Sequence, residues 1–248
     1  MVDTWVKGSG PPFRPGKRGV NTTIQGFLPI PGKRCAPTVE SMTTLPAARP
    51  DAAGRVLPAR PRTAALVVVA FTALMYVVEA VDVVLGNRLD AQGIAPRTLD
   101  GLDGVLWAPL LHGSWSHLLA NTVPVLAFAF LAMAGGIARW VLVTGTIWLV
   151  SGLGVWLTAG AGTVTVGASG LAFGWLAYLV VRGLFNRAFA QIVIAAVLLI
   201  GWGGMLWGVL PGQPGVSWQA HAFGALGGVL AAWFGSRADR KRAVPSVA

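Results

Sequence analysis

The sequence is short of negative charge. It holds nine aspartates and glutamates among 248 residues, and none lies between Asp103 and Asp239. From 104 to 236 the only basic residues are Arg139, Arg182 and Arg187. A soluble fold needs a charged surface throughout, and soluble chains carry about 25% charged residues. Here the fraction is 11%, with 54% hydrophobic residues, so the long uncharged stretch excludes a soluble core and points to a bilayer. Cysteine is nearly absent as well. Cys35 alone excludes an internal disulfide, no Cys/His pair has metal-ligand spacing, and Cys35 reads as an inert tail thiol.

Positive charge is plentiful, but it is gathered at the ends. Ten of the nineteen Lys and Arg lie in residues 1–62 and four more between Arg237 and Arg242. No basic stripe interleaved with aromatics falls on one periodic face, which excludes a nucleic-acid-binding surface. Residues 1–62 also hold ten of the sixteen prolines and little apolar periodicity, and they read as a disordered basic cytoplasmic tail. They contain no apolar core of a secretory signal, and Met42 is an alternative start position.

Crossing a hydrocarbon core about 30 Å thick takes roughly 20 apolar residues. Six stretches qualify: 64–86, 116–135, 138–159, 168–181, 188–207 and 218–235. A turn at Gly135-Gly136 separates the second from the third, the fourth is short, and 87–115 forms a long first outer loop. The expected fold is therefore an all-α membrane bundle of six transmembrane helices over 63–236, followed by a basic tail at 237–248. With both termini cytoplasmic, the inner segments contain seventeen of the nineteen basic residues, and the outer ones only Arg88 and Arg97. The sequence reads as a multi-pass cell-membrane protein. Glu79 and Asp82 fall close to the outer headgroups on this reading, and Arg182 marks the inner interface.

All three histidines fall at or inside a membrane boundary, where a histidine is expensive and points to function. His112-Gly-Ser-Trp-Ser-His117 opens the second span. His117 and Asn121, four apart, share a helical face and offer donors to one cavity, unless they serve as an interhelical polar clamp. Gly167-Ala168-Ser169-Gly170 heads the fourth span and places a hydroxyl at a buried helix N-terminus, beside backbone amides suited to an oxyanion. His221 is followed by Gly224 and Gly228, whose bare face lets another helix approach closely enough for a short Ser–His hydrogen bond. No acidic residue lies between 104 and 238, so a catalytic site here is a dyad of nucleophile and base. A His-Glu-x-x-His zinc motif and a pair of intramembrane aspartates are both lacking.

His112-x4-His117-x3-Asn121, then Gly167-Ala168-Ser169-Gly170, then Ala220-His221-x2-Gly224-x3-Gly228, in this order on six spans, resemble the rhomboid intramembrane serine proteases over about residues 64–236. The resemblance implies a Ser169 nucleophile, a His221 base, and an oxyanion hole of His117, Asn121 and the Ser169 amide. His112, Gly167, Gly170, Gly224 and Gly228 take supporting roles. Phe173 stands where the family often has tyrosine and is expected to stack on His221. The family's Trp-Arg pair in the first loop is missing; Asp103-Gly104 stand near its place. The substrates implied are transmembrane segments of other proteins in the lipid bilayer, reaching the site laterally where the fifth helix and the 208–217 loop move. No cofactor or metal is implied, and no motif specifies an oligomeric state. The alternatives are a rhomboid-like protein that binds transmembrane clients without cutting them, and a small transporter. The transporter reading lacks the matched halves it requires.

Overall fold

A computed structural model describes residues 54–243, with side chains to 239. The tail positions singled out above, Cys35 and Met42, lie outside the described residues. Within them the protein is helical, with one isolated β-bridge between Ile94 and Thr165. The helices are α1 (Pro61–Val84), a single turn α2 (Gly104–Trp107), α3 (Trp115–Ala132), α4 (Ile137–Thr158), α5 (Ser169–Asn186), α6 (Phe189–Trp202) and α7 (Trp218–Ala243). A 3-10 segment, Gly203–Val209, prolongs α6.

Local chemistry sets the helix ends. Pro61 supplies the fixed φ that suits a first helical position. The Ser114 hydroxyl caps α3 by accepting the His117 N–H at 3.2 Å. Gly136, at φ +94°, makes the break before α4 that an L side chain resists.

Among the described residues, four segments are long and apolar enough to cross a membrane: Pro61–Val84, Trp115–Gly135, Ile137–Thr158 and Phe189–Val209. Helices α5 and α7 fall short of that standard on composition. They are instead the helices most enclosed by, or packed along, the others. Trp175, Leu171, Leu176 and Leu179 of α5 are buried among Phe128 and Leu118 of α3 and Ile147 of α4. Only Gln191, Ala195 and Leu198 of α6 are buried, so that helix lies at the periphery.

Glycine brings α7 against two neighbours at once. A Cβ on Gly224 would overlap the Gly170 carbonyl, and one on Gly228 the Gly174 carbonyl, so α5 and α7 touch backbone to backbone. On the adjoining face, a Cβ on Gly227 would stand 2.9 Å from the Ile147 Cα of α4. The Ser151 hydroxyl of α4 donates to the Ala220 carbonyl of α7 at 2.9 Å.

The first loop is fastened to α4 by bonds that no motif announced. The Trp148 indole donates to the Val105 carbonyl (2.7 Å) and the Trp156 indole to the Thr98 carbonyl (2.9 Å). The Arg97 guanidinium donates to the Ala159 carbonyl at 2.7 Å.

Three positional expectations change. Glu79 and Asp82 are enclosed by protein; they are 3% and 2% exposed, and the Asp82 carboxylate accepts the Leu89 N–H of the folded-back loop at 2.6 Å. The Arg182 side chain is not exposed at an interface. It is 4% exposed, and α5 continues past it to Asn186, where Arg187 in the left-handed conformation ends the helix. The fourth long helix therefore has 18 residues, as many as α3, instead of the 14 of the expected 168–181. Helix α7 likewise runs beyond the expected 235 to Ala243.

The backbone contact sets a prediction. Gly224→Ala and Gly228→Ala should each destabilise the bundle by about 1–3 kcal/mol or more through overpacking. Gly235→Ala on the same helix, with open space around it, should be neutral or slightly stabilising. Thermal unfolding of the purified variants in detergent measures the contrast; equal effects at all three positions would overturn it.

Candidate active site

Ser169 is the first residue of α5 and Ala168 its N-cap, completely buried, while Gly167 before them holds φ +116°. That bend places the Ser169 hydroxyl at the mouth of the helix, half-buried, beside first-turn amides that have no partner within the helix. His221 lies in the first turn of α7, 8% exposed. Because α5 and α7 touch at Gly170, next to Ser169, and Gly224, one turn after His221, the Ser169 Oγ and His221 Nε2 meet at 2.9 Å.

The other ring nitrogen decides the chemistry. His221 Nδ1 lies 2.9 Å from the Gly208 carbonyl, which can only accept, so Nδ1 carries the hydrogen and donates it. Nε2 then presents its lone pair to the Ser169 O–H. Phe173, one turn after Ser169, lies flat against the imidazole, with ring centroids 4.0 Å apart and planes 8° from parallel. The imidazole is thus held on one edge by a carbonyl and on one face by an aromatic ring.

His117 stands across the bend. A Cβ on Gly167 would come within 2.6 Å of the His117 ring, so glycine there makes room for that imidazole as well as for the positive φ. His112 meets the His117 ring edge-on at 5.2 Å, and the Ala168 N–H donates to His112 Nε2 at 3.4 Å. Asn121 is the exception. Its carboxamide donates back to the His117 carbonyl at 3.2 Å, along its own helix, and is not turned toward Ser169. Gly170 is hemmed in by the Ser151 side chain and the Ala220 carbonyl. A small cavity behind Ser169 runs from Val105 and Ile94 of the first loop to Ser151 and Ala220.

Two participants escaped the sequence reading. Gly208 acts through its carbonyl, which any residue possesses; its only signal is the glycine itself, since a Cβ there would press on the His221 ring at 2.8 Å and on Phe173 at 3.0 Å. Ser151 ties α4 to the residue preceding His221, and resembles the other small residues of its helix. Among the described residues, no group of three or more His, Cys, Asp or Glu side chains is arranged to hold a metal ion.

Comparison with known proteins agrees with the geometry. The family model for the Rhomboid domain matches residues 102–238. An uncharacterized protein of Mycobacterium tuberculosis is 47% identical over 208 residues, covering 80% of this chain and 87% of its own length. Another from Mycobacterium leprae is 42% identical over 182 residues, covering 70% and 72%. Rhomboid-like protease 5 of Toxoplasma gondii is 33% identical over 136 residues, which is 51% of this chain and 15% of that protein.

Burial, with the nearby His117 ring second, pushes His112 down to about 4 from its ordinary 6.5. Above pH 6.5 the imidazole is neutral whether folded or not, and the stability it supports is complete. As pH falls from 6.5 toward 4 the unfolded chain takes up the proton first, and that stability is lost. The His112-dependent loss should be on the order of 3 kcal/mol across this window. His112→Gln should flatten that part of the pH–stability curve in detergent, and an unchanged slope would refute the assignment.

Proposed function

The chain belongs to the rhomboid family, and from that premise we propose that it is an intramembrane serine endopeptidase cutting in or beside transmembrane segments of other membrane proteins. The observation that carries the proposal is the 2.9 Å Ser169–His221 bond, with His221 held in the accepting tautomer by the Gly208 carbonyl. In this mechanism the Ser169 Oγ attacks the scissile carbonyl while His221 Nε2 takes its proton. The oxyanion that forms is met by the Ser169 amide and the His117 ring, and by Asn121 once its carboxamide turns from the His117 carbonyl. His221 then gives the proton to the departing amine as the C–N bond breaks. Water activated by the same imidazole hydrolyses the acyl-enzyme.

The proposal includes a membrane domain over 63–236 whose six long helices all cross, with both termini cytoplasmic. It is supported by the four strongly apolar helices and by the charge asymmetry that six crossings would produce: sixteen of the nineteen basic residues, the buried Arg182 aside, would fall on the side of the termini. Helices α5 and α7 cross on this reading because neighbouring helices, not lipid, surround much of their surface. Peripheral α6 and the 210–217 loop form the side from which a transmembrane substrate reaches Ser169. Gly208, at the end of the α6 extension, couples that side to the base. A client-binding protein without protease activity would share the fold but has no use for an activated serine.

In liposomes the protein should cleave a transmembrane test peptide. Ser169→Ala and His221→Ala should each lower kcat/KM at least about a thousandfold. Asn121→Ala should cost about 10²-fold, in kcat more than in KM. A fluorophosphonate should label Ser169 and fail to label the His221→Ala protein. Cleavage that persists in Ser169→Ala would sink the mechanism.

A further inference from the structure

Arg182 holds its charge where charge is hardest to hold. It lies on the face of α5 that also carries Trp175 and Tyr178, and it is 4% exposed. Its Nη1 reaches the Leu131 carbonyl of α3 at 3.5 Å, and its guanidinium carbon stands 5.6 Å from the centre of the Tyr178 ring. Nε and Nη2 are buried and meet no acceptor. A buried guanidinium with two idle donors costs several kcal/mol unless an anion satisfies it.

Among the described residues there is no such anion. Asp239 is the only acidic residue on α3 to α7, and it is engaged by Arg139 of α4 through both of its oxygens, one of them at 2.7 Å from Nη1. The Tyr178 ring lies beside the Arg182 guanidinium and Arg139 is paired with Asp239, so Arg139, Tyr178 and Arg182 form a row with two positive charges against one carboxylate. The row ends at the α3–α4 turn, where the Arg139 side chain lies along Gly135. There α4 begins at Gly136 without a side-chain cap or an acidic residue in its first turn. Donors and positive charge converge, and among the described residues no anion answers the Arg182 Nε and Nη2.

The geometry points to an anion site between the α3–α4 turn, α5 and α7, in which Arg182, Arg139 and Tyr178 take the phosphate oxygens of a phospholipid headgroup. A phosphate matches a guanidinium in planar, two-pronged fashion and relieves the surplus charge. Basic pockets between membrane helices on the cytoplasmic side suit such headgroups, and this end of the bundle carries Arg139, Arg182, Arg187 and Arg237. Lipid fits better than a free anion because Leu142, 72% exposed one turn after Arg139 on the same face of α4, offers an apolar surface for an acyl chain. Arg139 is the accessible end of the row, and Arg182 lies behind it.

The test is binding, independent of protease activity. The full-length protein in detergent is titrated with phosphatidylglycerol and examined by native mass spectrometry, in parallel with inorganic phosphate. One phosphatidylglycerol should bind, and Arg182→Met, which keeps length and removes charge, should weaken it at least tenfold. Arg139→Gln and Tyr178→Phe should weaken it severalfold, and they carry the test should Arg182→Met not fold. Millimolar phosphate should leave the lipid in place. Displacement by phosphate, with phosphate stabilising wild type but not Arg182→Met, would keep the site and make its ligand the free anion. Lipid binding equal in wild type and all three variants, or none in wild type, overturns the proposal.

Discussion

The site hangs on a backbone contact between two helices. A serine and a histidine 52 positions apart can share a hydrogen only if α5 and α7 come closer than ordinary side chains allow, and glycine alone permits it. Gly170 and Gly174 on one helix face Gly224 and Gly228 on the other, in two successive turns that hold the helices in register. In a bilayer this contact does more than in water. Lipid is as apolar as leucine, so helices associate by close packing and by their polar links. Ser151 supplies one such link to α7 a single residue ahead of His221. Everything nearer the chemistry, including the hydroxyl, the imidazole and the stacked Phe173, inherits its position from that seam.

A missing carboxylate shapes the rest. In a triad the third residue fixes the tautomer of the base and stabilises its charged form, but a buried carboxylate has a large desolvation cost in a low-dielectric site. Here the Gly208 carbonyl takes over the first of those tasks without adding charge. The Phe173 ring, flat on the imidazole, limits its rotation, and its π-face would favour the charged imidazole in the proposed mechanism. The carbonyl belongs to the 3-10 extension of α6, the least buried of the long helices. The orientation of His221 is therefore tied to the most peripheral part of the fold, a coupling that a carboxylate on a central helix would not create.

What the sequence made legible follows from this division between side chains and backbone. Helices, turns and the order of the three motifs were readable because hydropathy and glycine placement act locally: the Gly135-Gly136 break appears where expected, and Ser169, His221, His117 and Phe173 come together. Gly208 was invisible because a carbonyl has no residue type. Trp148 and Trp156 looked like ordinary membrane tryptophans, and only tertiary structure shows their indoles bonded to the first loop. Asn121 shares the expected face with His117, yet its amide turns back to its own helix, since spacing specifies a face and not a rotamer. Arg182 misled most. A charge at the end of an apolar run is ordinarily taken to snorkel to the interface, and the helix was therefore ended too early. The fold instead encloses the guanidinium and continues for another turn.

Arg182 and the carboxylates of α1 are the same problem at opposite ends of the bundle. Glu79 and Asp82 are buried beneath the first loop with negative charge near them and no cation paired to Glu79. Arg182 is buried at the other end with positive charge in excess. A membrane potential negative inside acts on both, at about 2.3 kcal/mol per elementary charge moved fully across 100 mV. It favours anions at the outer end and cations at the inner one, which is how these groups lie when the termini are cytoplasmic. Turning the bundle over would set every one of them against the field. The buried charges thus support the same orientation as the loop arginines, and they do so through a different physical term. Loop charges act during insertion, whereas a buried charge such as that of Arg182 acts on the folded protein for as long as the membrane is energised.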